Sequence, residues 1–145
     1  MSLLRKLLHL SPRDRWVLLQ AGCVTLAVRL GLWLLPFAVV RRSVYWLACR
    51  TSRPRTAPIP IETLTWAVTV VSRRIPRATC LTQALVLQAL LQRQGYASAL
   101  HLGVRRSLDG GFQAHAWVER AERIVIGDAG GDLYTSVAAF RLDGV

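Results

Sequence analysis

Apolar positions follow two different periods along this chain, and the switch between them divides it. From Trp16 to Val40 the run is almost continuously apolar, broken by Gln20, Thr25 and Arg29. Ser11-Pro12 precedes it, with Ser as the capping oxygen and Pro at the first helical position. Asp14 falls in the first turn, where the helix dipole favours an anion. The pattern predicts a helix from Pro12 to about Leu34, stopped or kinked by Pro36, and a second from Phe37 to about Arg50. The ten residues before it offer only a short amphipathic turn built on Leu3, Leu4, Leu7 and Leu8. Between Thr51 and Pro60, Pro54, Pro58 and Pro60 forbid a continuous helix, so residues 51–60 read as a linker. Ile61, Leu64, Val68, Val71 and Ile75 then recur every third or fourth residue, which marks one face of an amphipathic helix ending at Pro76.

The next helix begins at Thr79, a capping residue, places Cys80 in its first turn and closes at Gly95. Leu81, Ala84, Leu85, Leu87, Ala89, Leu90 and Leu91 cover most of its circumference, so burial against both a sheet and other helices is expected. After Ala97 the period becomes two. Strands are predicted over Ala99 to Val104, Phe112 to Glu119 and Arg123 to Ile126, with a hairpin loop at Ser107 to Gly111. Phe112, Ala114, Ala116 and Val118 share one face of the second strand; Gln113, His115, Trp117 and Glu119 share the other. Gly130-Gly131 loosens the chain, and Leu133, Tyr134, Val137 and Phe140 are expected to form a last strand or turn over the core. The expected class is α+β: N-terminal helices, then a buried helix packed on a small antiparallel sheet. No internal repeat is visible.

The 145 residues suffice for one domain with a real core. At 52% hydrophobic content the chain does not read as disordered. Its formal charge is +11, carried almost wholly by Arg, since Lys6 is the only lysine. That charge favours acidic partners, whether peptide, nucleic acid or anionic membrane surface. The chain lacks the aromatic-and-basic motif of an RNA-binding sheet, so nucleic acid is not the expected partner. Cys23, Cys49 and Cys80 make an odd count with no CxxC pair, which points to a reducing, cytoplasmic compartment. The three histidines do not cluster with them, so neither metal nor cofactor is expected. The Trp16 to Val40 run has the length of a membrane span. Arg29 near its middle would cost at least about 2.5 kcal/mol to insert, and no signal-cleavage site follows. A buried or partner-covered helix pair is the preferred reading over a true span, with a surface-bound membrane helix as a further alternative.

Cys80, His115 and Asp128 are the candidate chemistry. A thiol reacts as thiolate, and a helix N-terminus favours that form. Unpaired N–H groups there also offer donors to an oxyanion, the Cys80 amide first. A hairpin with Ala121-Glu122 at its tip would oppose Arg120 to Arg123, Glu119 to Ile124, Trp117 to Ile126 and His115 to Asp128. Opposed residues share a face at roughly 5 Å between Cβ atoms, so the carboxylate would orient the imidazole and the imidazole would serve the thiol. A slip of one residue would separate them. Asp132 is a rival carboxylate outside that register, and Trp66 and Gln83 are candidates for a second oxyanion donor. Cys23 and Cys49 read as structural, His101 as a core or edge residue, and Trp117 as packing beside the site. The Arg41-Arg42 and Arg53, Arg55 pairs read as solvated faces, with a docking surface for acidic peptide as the alternative.

Thr79-Cys80-Leu81-Thr82-Gln83-Ala84-Leu85, Gln94-Gly95-Tyr96, Leu102-Gly103-Val104-Arg105 and Ala114-His115-Ala116-Trp117-Val118-Glu119 together resemble the transglutaminase-like core of lasso-peptide leader peptidases. The similarity runs from about Ile61 to Asp128. Arg29-Leu30 and Leu34-Leu35-Pro36-Phe37 resemble the helical stretch that precedes that core. The resemblance implies a transglutaminase-like, papain-like fold and a cysteine peptidase that removes the leader from a ribosomal precursor peptide. Cys80 would be the nucleophile, His115 base then acid, and Asp128 its orienter. An ATP-dependent cyclase acts afterwards. Larger members carry a winged-helix domain that grips the leader; the first third here reads as hydrophobic helix instead. The resemblance therefore implies a stand-alone subunit working with a separate recognition protein. Residues 1–50 would be the docking region, 51–60 the linker and 61–145 the catalytic core. Three rivals stand beside this reading: an acyltransferase or amidase acting on Gln side chains, a non-catalytic peptide-binding or membrane-attached scaffold, and a membrane-anchored protein with Trp16 to Val40 as anchor.

Overall fold

A computed structural model describes residues 5–6, 8–52, 57–127 and 134–141. Among the described residues, four helices precede a four-stranded antiparallel sheet, an α+β arrangement. Helix α1 spans Pro12–Leu34, α2 Phe37–Thr51, α3 Ile61–Ser72 and α4 Cys80–Arg93. The strands are β1 Ala99–Arg106, β2 Phe112–Arg120, β3 Arg123–Ile126 and β4 Thr135–Arg141. Their order across the sheet is β3-β2-β1-β4.

The caps act as the sequence predicts. Ser11 Oγ accepts from the Asp14 amide at 3.1 Å, and Pro12 opens α1. Thr79 Oγ1 accepts from the Thr82 amide at 3.4 Å and opens α4. Helix α4 is the centre of the molecule. Ala84 through Leu91 are all buried, and α1, α2, α3 and β2 pack around them. Each fully buried leucine there is worth roughly 1.5–3 kcal/mol relative to exposure. Gln88 is buried among them and donates from Nε2 to the Phe140 carbonyl at 2.8 Å, tying the helix to β4. That bond satisfies a polar group whose unpaired burial would otherwise be costly.

Helix α1 is apolar nearly all round, yet only one stripe enters the core: Val17, Ala21, Thr25 and Val28. Thr25 fits there because its hydroxyl donates to the Ala21 carbonyl at 2.6 Å. Trp16, Leu19, Leu26, Leu30 and Trp33 face outward, Trp33 being 73% exposed, and Trp46 and Leu47 of α2 are also exposed. By length and composition α1 could cross a membrane; 28% of its most apolar stretch is buried in this fold. Cys23 and Cys49 are exposed free thiols rather than structural core residues, because both lie off the buried stripes. Arg13 donates to the Pro58 carbonyl at 3.4 Å, and Tyr96 to the Ile59 carbonyl at 3.0 Å, pinning the chain that leads into α3. Leu3, Leu4, Leu7, Arg53, Pro54, Arg55, Gly130, Gly131 and Leu133 lie outside the described residues.

The β2–β3 hairpin follows the expected pairing only at its tip. Arg120 opposes Arg123 and Glu119 opposes Ile124. A bulge then shifts the register, and Ile126 opposes Val118 rather than Trp117. The physical gain is burial: the shift turns Ile126 onto the face of Val118 and Ala116, where it joins the core around α4. The straight count that set Asp128 opposite His115 therefore fails beyond Glu119.

Candidate active site

Cys80 is the first residue of α4, directly after the Thr79 cap. Its amide and that of Leu81 lie in the turn whose N–H groups have no acceptor within the helix. The thiol residue is half-buried, packs on the core, and lines a cavity of about 380 Å³. Leu102, Val104, Ala114, Ala116 and Ala138 supply most of the remaining wall, and the chain at His115 completes it. The site is thus an apolar recess between a helix N-terminus and the strand that carries the candidate base.

The imidazole of His115 sits in a different setting. Ala116 and Val118 face α4, so alternation places His115 and Trp117 on the opposite face of β2. There Trp117, only 5% exposed, stacks against both His101 and His115, at centroid distances of 5.5 and 6.2 Å. Tyr134 covers His115 at 5.0 Å, and the Arg105 guanidinium lies 5.0 Å from the Tyr134 ring. Trp117 is therefore the packing residue the sequence predicts. It can lie flat on the sheet because Gly103 has no side chain: a Cβ there would come within 2.6 Å of the indole.

His115 Nε2 hydrogen-bonds to the Gly127 carbonyl at 2.6 Å. A carbonyl only accepts, so Nε2 carries the proton, and in the neutral ring Nδ1 keeps its lone pair. Gly127 reaches this position with φ +86°, and a Cβ on it would come within 2.7 Å of the Ala116 carbonyl oxygen. Among the described residues, neither His115 Nδ1 nor the Cys80 thiol has a hydrogen-bond partner. The structure thus brings Cys80 and His115 to one cavity wall without joining thiol to imidazole. Asp128 and its rival Asp132 lie outside the described residues.

Neither Trp66 nor Gln83 lines the thiol cavity. Trp66 instead faces a groove between α3 and the β2–β3 hairpin. His101 has more partners than a plain core residue: its Nε2 is 2.9 Å from Glu119 Oε2, and its Nδ1 is 3.3 Å from Ser136 Oγ. Alternation places Trp117 and Glu119 on one face of β2; that His101 joins them follows from the β1–β2 register, and the contribution of β4 needed the fold. Among the described residues, no group of three His, Cys, Asp or Glu side chains could hold a metal ion.

A family model described as the transglutaminase-like superfamily matches residues 22–139. No curated protein and no solved structure matches the chain. The matched stretch runs from within α1 through the thiol helix and the sheet to β4, most of the polypeptide, and on that match the chain belongs to the transglutaminase-like superfamily.

Proposed function

We propose that this protein is a cysteine peptidase that removes the leader from a ribosomally made lasso-peptide precursor. Membership of the superfamily is compatible with a cysteine peptidase or an acyltransferase. The observation that carries the reading is the position of Cys80: first residue of a capped, buried helix, in a recess whose wall includes the histidine strand. The motifs shared with leader peptidases narrow the substrate.

In this mechanism Cys80 Sγ attacks the carbonyl carbon of the leader–core bond, and His115 Nδ1 takes the thiol proton. N–H groups at the start of α4 receive the developing oxyanion. The C–N bond breaks, the core amine leaves with the proton from His115, and the leader remains as a thioester. Water then attacks, gives its proton to His115, and releases the leader acid; the proton returns to the thiolate. Asp128 is the proposed orienter; it acts by replacing the Gly127 carbonyl as acceptor of the Nε2 proton, the only N–H of the neutral ring. Because the ring lies on the sheet face away from α4, proton transfer requires the start of β2 to shift so that Nδ1 turns to the side of Sγ.

Residues 1–50 form the proposed docking region, 51–60 the linker and 61–145 the catalytic part. The outward apolar residues of α1 and α2 support docking of a separate winged-helix recognition protein bearing the leader, with an ATP-dependent cyclase acting next. The proposed location is the cytoplasm, with α1 also suited to peripheral membrane contact.

The test is incubation of the precursor and its recognition protein with wild type, Cys80→Ala and His115→Ala. Loss of cleavage in both variants supports the reading; full cleavage by Cys80→Ala overturns it. The second reading, a non-catalytic peptide-binding scaffold, is favoured by the placement of the imidazole on the sheet face away from α4. It requires Cys80→Ala to leave function intact. An acyltransferase would instead pass the Cys80 acyl group to an amine, which mass spectrometry of the trapped adduct distinguishes.

A further inference from the structure

A second concave surface lies well away from the thiol. Helix α3 and the β2–β3 hairpin enclose a groove of about 900 Å³, the size of a peptide or small-ligand site. Three arginines line it: Arg73 from the turn that ends α3, Arg120 from β2 and Arg123 from β3. Among the described residues none of the three has an acidic partner, and the Nε of Arg120 is buried without a hydrogen bond. Glu62 is the one acid in the wall. Trp66, 39% exposed, supplies an aromatic surface.

We propose that this groove binds an extended acidic peptide segment. Arg120 lies 5.0 Å over the Tyr96 ring, which leaves its charge without an acid; arginines lacking an acidic partner attract carboxylates and can bind them bidentately. The +11 charge of the whole chain reinforces their pull at long range. The extended form follows from the sheet. Strand β3 is outermost on this side, so its outer row of N–H and C=O groups has no strand partner in the described sheet. A peptide laid along β3 would complete that row, point alternate side chains at the arginines, and set an apolar side chain on Trp66.

The groove also lies at a useful distance from the thiol. Ala114, in the wall of the Cys80 cavity, and Arg120 are six positions apart on β2, roughly 20 Å at strand rise. One extended substrate could therefore occupy both places, a link that rests on the peptidase reading while the groove itself does not.

The experiment measures binding in the Cys80→Ala protein, so that it does not depend on catalysis. The probes are fluorescein-labelled peptides of four Glu-Leu repeats and of four Gln-Leu repeats, followed by fluorescence anisotropy at two salt concentrations. The Glu-Leu probe is expected to bind at least tenfold more tightly than the Gln-Leu probe and to weaken with salt. Arg73→Glu with Arg123→Glu, both at exposed positions, should cost at least another tenfold. Arg41→Glu with Arg42→Glu, outside the groove, should cost less than threefold. Circular dichroism checks that each variant is folded. Equal binding of the two probes, or equal loss from the two charge-reversed pairs, overturns the proposal. Leader cleavage that persists while groove binding is absent would remove the groove and leave the peptidase reading standing.

Discussion

His115 donates from Nε2 to the carbonyl of Gly127 across 2.6 Å, and that one bond sets which ring nitrogen remains available. The neutral imidazole is fixed as a base at Nδ1. The acceptor is backbone, so its position depends on the unusual φ of Gly127 rather than on a side chain.

Gly127→Ala should therefore loosen the base as well as the fold. A left-handed non-glycine residue costs roughly 1–2 kcal/mol, and the added Cβ meets the Ala116 carbonyl oxygen. A fall in Tm of about 3 °C or more is expected. The Nε2 proton of His115 is expected to be slow to exchange in the wild type, where the Gly127 carbonyl accepts it, and to exchange faster in the variant, as NMR would show. Retention of both stability and protection would contradict this account of the ring.

Gly103→Ala tests the seat of Trp117. The new methyl would fall within 2.6 Å of the indole and 3.1 Å of the Thr135 carbonyl oxygen. Overpacking of this kind costs roughly 1–3 kcal/mol. Near-UV circular dichroism should register the displaced indole. Trp117→Leu should restore much of the loss in the double variant, giving a non-additive cycle of the kind contacting residues show.

The hairpin tip carries avoidable strain. Ala121 and Glu122 both have positive φ, at 49° and 61°. Such two-residue turns favour Asn-Gly. Replacing the pair, Ala121→Asn with Glu122→Gly, should stabilise the protein by about 1 kcal/mol, read as a higher denaturation midpoint. A lower midpoint would mean that the tip side chains contribute more than their backbone costs.

The outward tryptophans should be dispensable for folding. Trp16→Ser, Trp33→Ser and Trp46→Ser each change an exposed side chain, and each should shift stability by less than about 0.5 kcal/mol. Their combination should raise solubility and weaken pull-down with the recognition protein. Unchanged pull-down would place the partner elsewhere.

Local signals account for much of what was legible. Ser11-Pro12 and Thr79 mark helix starts because a capping oxygen acts within one turn, and those starts stand where the sequence puts them. The strand faces are as expected too, since alternation is a property of the backbone itself. The bulge beside Val118 left no comparable mark: its benefit is the burial of Ile126, a tertiary gain invisible to a period-two count. In α1 the sequence is apolar on every side, so nothing in it distinguishes buried Val17 and Thr25 from exposed Leu19 and Trp33. For the same reason Cys23 and Cys49 read as core when they face outward. The thiol and histidine strand were found from their local contexts. Their relation across the sheet depends on packing that those contexts do not encode.

The strand order has a kinetic consequence. Strand β1 pairs with β2 through a short loop, but its other neighbour, β4, returns from far along the polymer to set Phe140 beside Leu100. Nearby segments meet cheaply; distant ones must first give up more chain entropy. The meander of β1, β2 and β3 should therefore assemble first and β4 dock late. Until it does, β1 presents a bare edge, and intermolecular pairing along that edge is the natural route to aggregation during refolding.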